Sequence, residues 1–577
     1  MADATSPEQP SPIPAHLAQF VVEQDYAQYT EIDQAVWRFV LLQTYSRLAQ
    51  TAHPAYRDGL AATGLSVERI PRIAEMAACL ARFGWGAVCV DGFIPPRAFQ
   101  EFQAAGILPI AADMRTRAHL VYTPAPDIIH EAAGHAPILP DPIYAAYLRK
   151  VGELGRRAFA TPEDAAVYRA IFELSELKET PGANAAQIAA AEARVQAATG
   201  AIREASEAAR VARLYWWTAE YGLVGTPAEY KLYGAGLLSS LWESYSCHDP
   251  AVRKLPLSAA CCDVAYDITK PQPQLFVVPN FERLFDVLSE VERSLASERG
   301  RAHALAAALA SGELTSFVLE GGAFVCGVPE QLIGDVEAGV LSLRGPIGLG
   351  RDQTLLGRLA PEREPYRVPL GRLKDGRALS DLACAPIATG AGVRWEFRSG
   401  LVVTGSWGSP RVAASGQAGA LRLTDYTMTL EGSLGFVSRG ALLELPTGSE
   451  LVTATPGALD ANFFEPSEPN RRTVPRPRSL DASECALLSL YERALAVHRS
   501  LLGARAVAAF EQIHRELQQD HPEEWLLRWN LLESLLKLGE GPELSQTLTA
   551  ELDLLEERFS HREPIASGLR YLARRAA

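Results

Sequence analysis

Residues Val121 to His135 read VYTPAPDIIHEAAGH, and the rest of the chain is arranged around this stretch. Two histidines close it, His130 and His135, with Glu131 immediately after the first and Gly134 immediately before the second. Imidazole is a good ligand for iron, zinc, copper and nickel, so a close histidine pair is a candidate metal site. Zinc-protease helices carry histidines four residues apart, about 40° around the helix and therefore on one face. Here the interval is five residues. On a regular α-helix that is about 140°, and both rings reach one ion only if the helix ends between them. Gly134 is placed to end it. Pro124 and Pro126 predict an extended approach that presents Asp127 and His130 at a helix start. On this motif alone, two hydrogen-bonded histidines at a helix terminus explain the residues as well as a metal site does.

A second stretch, YWWTAEYG from Tyr215 to Gly222, is followed by KLYGAGLLSS from Lys231 to Ser240. Together with YTPAPDIIHEAAGH, and in this order, these segments closely resemble the pterin-dependent aromatic amino acid hydroxylases. The resemblance covers roughly residues 20 to 295. It implies a non-haem Fe(II) held by His130, His135 and Glu220, with a tetrahydropterin (tetrahydrobiopterin or a related one) as co-substrate beside dioxygen and the aromatic amino acid. Two histidines and one carboxylate suit this chemistry independently, because they leave positions open on the ion. The resemblance further implies that Arg115 binds the amino acid carboxylate and that Thr123, Trp216 and Ser239 line the amino acid pocket. Phe99, Glu131 and Tyr215 would meet the pterin, the last two at the reacting centre. A guanidinium fork matches a carboxylate and aromatic rings stack on a pterin. The plainer roles are a solvated arginine, core aromatics and a carboxylate complementing a helix dipole. The implied activity is ring hydroxylation, most closely of L-phenylalanine to L-tyrosine. In the tyrosine-using branch an acidic residue stands near the substrate ring; the best-aligned position in YDITKPQPQ is the apolar Ile268, beside Asp267. The alternatives are tryptophan or tyrosine hydroxylation, or a non-catalytic regulatory or scaffold relative. A zinc hydrolase is disfavoured by the histidine spacing.

With 577 residues the chain has room for two to four domains. Its net charge of −14 argues against a nucleic-acid surface. No run of 18 apolar residues predicts a membrane span. The opening MADATSPEQPSPIP lacks the charged start and apolar core of a secretion signal. Eight cysteines without repeated C-x-x-C spacing read as small core residues of a reducing, cytoplasmic compartment.

The expected architecture is multidomain: a mainly α catalytic domain with short strands, of the aromatic amino acid hydroxylase fold, then a small antiparallel β domain and a C-terminal helical domain. Residues 1–20 read as a proline-rich arm and 21–300 as the catalytic domain. Within it, Ala35, Val36, Phe39, Val40, Leu42 and Tyr45 recur at helical spacing. The 85 residues separating His135 from Glu220 are more than the family uses. They hold Ala-, Glu- and Arg-rich sequence that predicts a helical hairpin over about 150–212, split near Pro181 to Asn184 and available for homo-oligomer or partner contact. Residues 297–312 read as an alanine-rich connector, and 313–460 alternate in β fashion. There GPIGLGRD, Gly345 to Asp352, suits a hairpin turn better than a nucleotide loop. Residues 464–479 form a Pro- and Arg-rich linker, and 480–577 are amphipathic helices paired in a TPR-like way without a 34-residue repeat. His498, His514 and His521 there lack ligand spacing and read as surface or capping residues. Every site motif lies before residue 300, so catalysis is expected to reside there.

Overall fold

A computed structural model of the chain describes residues 12–117, 120, 127–179, 184–267, 271–360, 365–432, 434–464, 481–500, 503–558 and 562–576. Thr123, Pro124, Pro126, Ile268 and nearly all of the 464–479 linker lie outside them.

Helix α1 (Glu31–Thr51) starts at a capping box, Thr30 Oγ1 accepting from Asp33 N and Asp33 from Thr30 N. From Ala35 to Leu41 it is buried on every side, Arg38 included. Its sequence periodicity predicts a single apolar stripe. The second face is covered because the C-terminal helices lie against it.

Around α1 lie α2 (Pro54–Ala62) and α3 (Ile73–Leu80), then β1 (Gly86–Val90), α4 (Pro96–Ala104) and β2 (Ile107–Ala111). The strands β1 and β2 pair in parallel, from Gly86 opposite Ile107 to Val90 opposite Ala111. After β2 the chain runs through Arg115 to the turn His130–His135, and then into α5 (Pro142–Arg157). The long interval before Glu220 is helical: α6 (Pro162–Glu179), α7 (Ala185–Ala201) and α8 (Glu207–Tyr215). Asn184 caps α7 through Gln187, and α7 buries Ala191 alone, so the hairpin projects into solvent. Next come β3 (Leu223–Gly225), β4 (Tyr230–Leu232), α9 (Ala235–Ser239), α10 (Glu243–Ser246), β5 (Arg253–Pro256), β6 (Gln274–Val278) and α11 (Glu282–Ser294). Their sheet has the order β4-β3-β6-β5, with β6 parallel to both neighbours and β4 antiparallel to β3.

Helix α12 (Arg301–Ser311) leads into β7 (Thr315–Leu319), β8 (Ala323–Gly334), β9 (Gly339–Arg351), β10 (Thr354–Leu359), β11 (Tyr366–Pro369), α13 (Leu379–Ala383), β12 (Gly392–Glu396), β13 (Val402–Val412), β14 (Ala418–Leu430), β15 (Phe436–Pro446) and β16 (Leu451–Pro456). Two antiparallel sheets result, β10-β9-β8-β7-β16 with β11 also on β9, and β12-β13-β14-β15. Two expectations are corrected here. Residues 301–311 are not a free connector, since Ala304, Leu305 and Ala308 are buried in the core beneath β7 to β9. The glycines of GPIGLGRD do not form the hairpin turn. They lie in β9, where a Cβ on Gly350 would meet the Phe324 ring at 2.1 Å. The turn itself falls on Asp352 and Gln353, both at positive φ.

The last helices are α14 (Ala482–Ser500), α15 (Ala504–Asp520), α16 (Trp525–Leu538), α17 (Pro542–Arg558) and α18 (Arg562–Ala576). They are continuous with the core around α1. The fully buried Phe39 of α1 meets Trp525 and Trp529 edge-on, ring centroids 5.1 and 4.8 Å apart, and Arg38 Nη2 pairs with Glu533 at 3.1 Å. Two of the histidines here are internal joints, not surface residues. His498 Nδ1 bonds Ser534 Oγ at 2.9 Å, and the buried His514 bonds Glu551 at 2.9 Å. His521 caps α15. No described helix is long and apolar enough to cross a membrane, and none of the eight cysteines is in a disulfide.

Candidate metal centre

Ile128 and Ile129 begin as α-helix, but His130–His135 winds as a π turn. Its hydrogen bonds close at i→i+5, so residues five apart lie nearly one above the other. The histidines therefore share a side without the helix ending between them, which corrects the role expected of Gly134. That glycine permits a close approach instead: a Cβ on it would stand 2.7 Å from the Ala235 carbonyl oxygen of α9. The rings of His130 and His135 lie 5.0 Å apart at 86°.

Asp127 holds the start of the turn, its Oδ1 accepting from His130 N at 3.1 Å. Both its oxygens also take Arg115, Nε at 2.7 Å and Nη2 at 2.8 Å, and the Arg115 backbone N donates at 3.1 Å. The fork expected to meet a substrate carboxylate is thus half occupied by a resident one. Nη1 is left with a long 3.4 Å contact to Ser239 O.

Glu220 ends a second π turn, Trp216–Glu220, which follows directly on α8. One carboxylate oxygen lies 3.0 Å from His135 Nε2 and the other 3.2 Å from His130 Nε2. Among the described residues, these three side chains offer ligand atoms within 4.8 Å of one another. Ser239 fixes the tautomer that binding needs. Its hydroxyl donates to Ala235 O at 2.8 Å and so accepts from His130 Nδ1 at 3.0 Å, leaving a lone pair on Nε2. The donor set, two imidazole nitrogens and one carboxylate in a buried site, fits Fe(II) with positions left open.

Without a cation the three groups hold each other's charge. Burial raises Glu220, but the two facing imidazoles outweigh it and hold the carboxyl well below its usual range. Burial works against a charge on His130, yet Glu220 lifts it to about 9. Glu131 is pushed up to about 8 by burial, and its Oε2 is enclosed with no hydrogen-bond partner among the described residues.

Aromatic rings wall the site. Tyr215 stacks on His135 at 6.1 Å, meets Phe99 edge-on at 5.7 Å, and takes a 2.8 Å hydrogen bond from Gln103. Trp216 lies flat on Tyr266 at 4.1 Å and its Nε1 donates to Gln272 at 3.4 Å. The structure thus joins His130, His135, Glu220, Ser239, Tyr215 and Phe99, with Arg115 linked through Asp127. Thr123, expected in the pocket, is outside the described residues. Sequence reasoning missed Gln103, Tyr266, Gln272 and the Arg115–Asp127 pair. Asp127 was visible as a helix start, but nothing in the spacing marks its ion pair.

A family model described as biopterin-dependent aromatic amino acid hydroxylase matches residues 20–175 and 186–299. Phenylalanine-4-hydroxylase of Pseudomonas aeruginosa is 30% identical over 283 residues, 48% of this chain and 90% of that protein. The chain belongs to the biopterin-dependent aromatic amino acid hydroxylases. The gap in the family match, residues 176–185, falls at the junction of α6 and α7. A second relative of this hydroxylase family, phenylalanine-4-hydroxylase of Ralstonia nicotianae, is 30% identical over 270 residues, 46% of this chain and 72% of that protein. Among solved structures, phenylalanine hydroxylase from Chromobacterium violaceum with bound iron(III) and 7,8-dihydrobiopterin is 26% identical with a TM-score of 0.38, covering 49% of this chain and 87% of that one.

Proposed function

We propose that this hydroxylase converts L-phenylalanine to L-tyrosine, using dioxygen, a tetrahydropterin and one Fe(II) held by His130, His135 and Glu220. The observation that carries it is the convergence of two imidazole Nε2 atoms on the two oxygens of one buried carboxylate, at 3.0 and 3.2 Å. Family membership and relatives named phenylalanine-4-hydroxylase support the substrate. When bound, the iron and the reduced pterin supply oxygen activation and the electrons for it.

The chain's own residues bind, orient and enclose. Ser239 holds the His130 ring by its Nδ1–H, which leaves Nε2 as the nitrogen that gives up its proton to an incoming metal. Glu131 presents an enclosed carboxyl whose Oε2 has no hydrogen-bond partner among the described residues, and there it would bond the pterin. Phe99 and Tyr215 give the pterin apolar ring faces, and the Gln103 bond stops Tyr215 from turning. Trp216, held against Tyr266, serves as a wall for the substrate ring, and Thr123 is assigned a part in substrate binding by the family resemblance alone. Arg115 offers Nη1 to the amino acid carboxylate while Asp127 grips its other edge. Cysteines without disulfides suit a reducing cytoplasm. Residues 21–300 carry the catalytic residues, and the helices of 480–577 share their core.

The test is turnover of the iron-loaded full chain with Phe, Tyr and Trp, each with and without tetrahydropterin. Para-hydroxylation of Phe with the highest kcat/KM, strictly dependent on pterin, is expected. A higher value for Tyr or Trp overturns the substrate assignment, and turnover without pterin overturns the cofactor assignment.

A further inference from the structure

The segment bearing Arg115 is gripped from two sides. On the inside, Arg115 is bound to Asp127, and Ile128 N donates to Asp113 O at 2.8 Å. On the outside, Arg117, two residues further on, pairs with Glu524 of the C-terminal helices. The Glu524 side chain is only 5% exposed, whereas that of Arg117 is 38% exposed. The second Glu524 oxygen accepts the Tyr491 hydroxyl at 2.7 Å and caps α16 through Leu527 N at 3.3 Å. The carboxylate is thus clamped between α14 and α16, and α16 stands on α1 through Phe39. A rigid post, in a part of the chain beyond the family match, reaches the segment that carries Arg115.

We infer that Glu524, fixed by Tyr491, is a positioning residue for the aromatic amino acid: it holds Arg117 and, through the short connection, the free Nη1 edge of Arg115. The inference rests on the reading of Arg115 as the carboxylate partner. Its physical basis is the narrow margin at that guanidinium. Two of its donors are committed to Asp127, so the remaining edge must be placed to within about 0.5 Å to bond a carboxylate well. An ion pair from residue 117 to a buried carboxylate limits the swing of the segment that carries Arg115. The C-terminal helices thereby complete the amino acid site.

Four variants of the full chain test this: Glu524→Gln, which keeps the Tyr491 bond and the cap but removes the charge; Arg117→Met; the two combined; and Arg117→Lys. Hydrogen exchange of the amides at residues 113–117, iron content and steady-state kinetics are measured on each. Glu524→Gln and Arg117→Met are each expected to speed exchange there and raise KM for Phe about tenfold, the effect of one charge-assisted hydrogen bond discounted for exposure. Iron content and kcat should hold. The double variant should be no worse than the worse single, because both remove one interaction, and Arg117→Lys should recover most of the loss. Unchanged KM in both single variants, additive losses in the double, or a fall in kcat with KM unmoved each overturn the positioning role. An active wild type is the control that separates this from the functional reading: a wild type that accepts no aromatic amino acid overturns both, while the exchange data still report whether the tether forms.

Discussion

Replacing Gly134 with alanine puts a methyl group between the two histidines and tests how the ligand turn is supported. The added Cβ would lie 2.7 Å from Ala235 O and 3.1 Å from Ala235 Cβ. An ordinary carbon-to-carbonyl contact is about 3.3–3.6 Å, so one partner must yield by roughly 0.6–0.9 Å. Both are backbone, in a π turn and a helix packed in the core, and neither can rotate away. Such overpacking costs typically about 1–3 kcal/mol. The movement has a second effect, because Ala235 O accepts the Ser239 hydroxyl that orients His130. Lengthening the 3.0 Å bond from His130 Nδ1 to Ser239 by the same amount takes it past hydrogen-bond range. Loss of such a supporting partner costs about 10–100-fold in metal affinity. Gly134→Ala should therefore show weaker Fe(II) binding by that factor in a chelator competition and a lower urea midpoint. Ser239→Ala should reproduce the affinity loss with a smaller loss of stability. Wild-type iron affinity and urea midpoint in Gly134→Ala would refute the argument.

The other outcomes concern the ligands, the buried acid and the shared core. His130→Ala, His135→Ala and Glu220→Ala should each lose iron on gel filtration and lose turnover; full iron content in any of them removes that residue from the ligand set. In the metal-free protein, Glu131 has a folded-state value of about 8 against 4.5 for the free side chain, raised by burial. Below 4.5 both states are protonated and the group costs nothing; as pH climbs from 4.5 to 8 the unfolded chain loses its proton first and folding stability falls. Glu131→Gln should therefore gain stability over wild type at pH 9 relative to pH 5 in urea titrations, and a difference that does not vary with pH contradicts this. Phe39→Ala should cost about 3–5 kcal/mol, and a chain ending at Gly300, which strips the cover from α1, should aggregate or melt without cooperativity; a cooperative, iron-retaining truncation would contradict the common core.

The residues of the metal centre were legible because ligand identity and order survive in sequence: His130, His135 and Glu220 each sit in a distinctive local motif. Their geometry was not. Five-residue spacing looks wrong for one helical face until the winding changes to π, and neither that winding nor the close approach of Gly134 to Ala235 is marked in the local sequence. The strands were readable from alternation, and the α6–α7 hairpin from helix formers, but it runs from Pro162 to Ala201 and not over 150–212, because α5 to Arg157 is packed in the core. The burial of α1 on two faces was not, because a periodic stripe reports one partner, and the second partner lies in another part of the chain. For the same reason His498 and His514 read as surface residues, and Gly348 and Gly350 of β9 read as a turn although a Cβ on them would meet Cys326 and Phe324.

The seating of Phe39 between Trp525 and Trp529 has a consequence for biosynthesis. The two halves of this contact are 490 residues apart, from 39 to 529. At a translation rate of about 5–20 residues per second, roughly 25–100 s separate their emergence from the ribosome. During that interval α1 is already made and one apolar face of it has nothing of its own chain to cover it. The nascent hydroxylase region waits unfinished until Trp525 and Trp529 emerge, and α1 acquires its full burial only then.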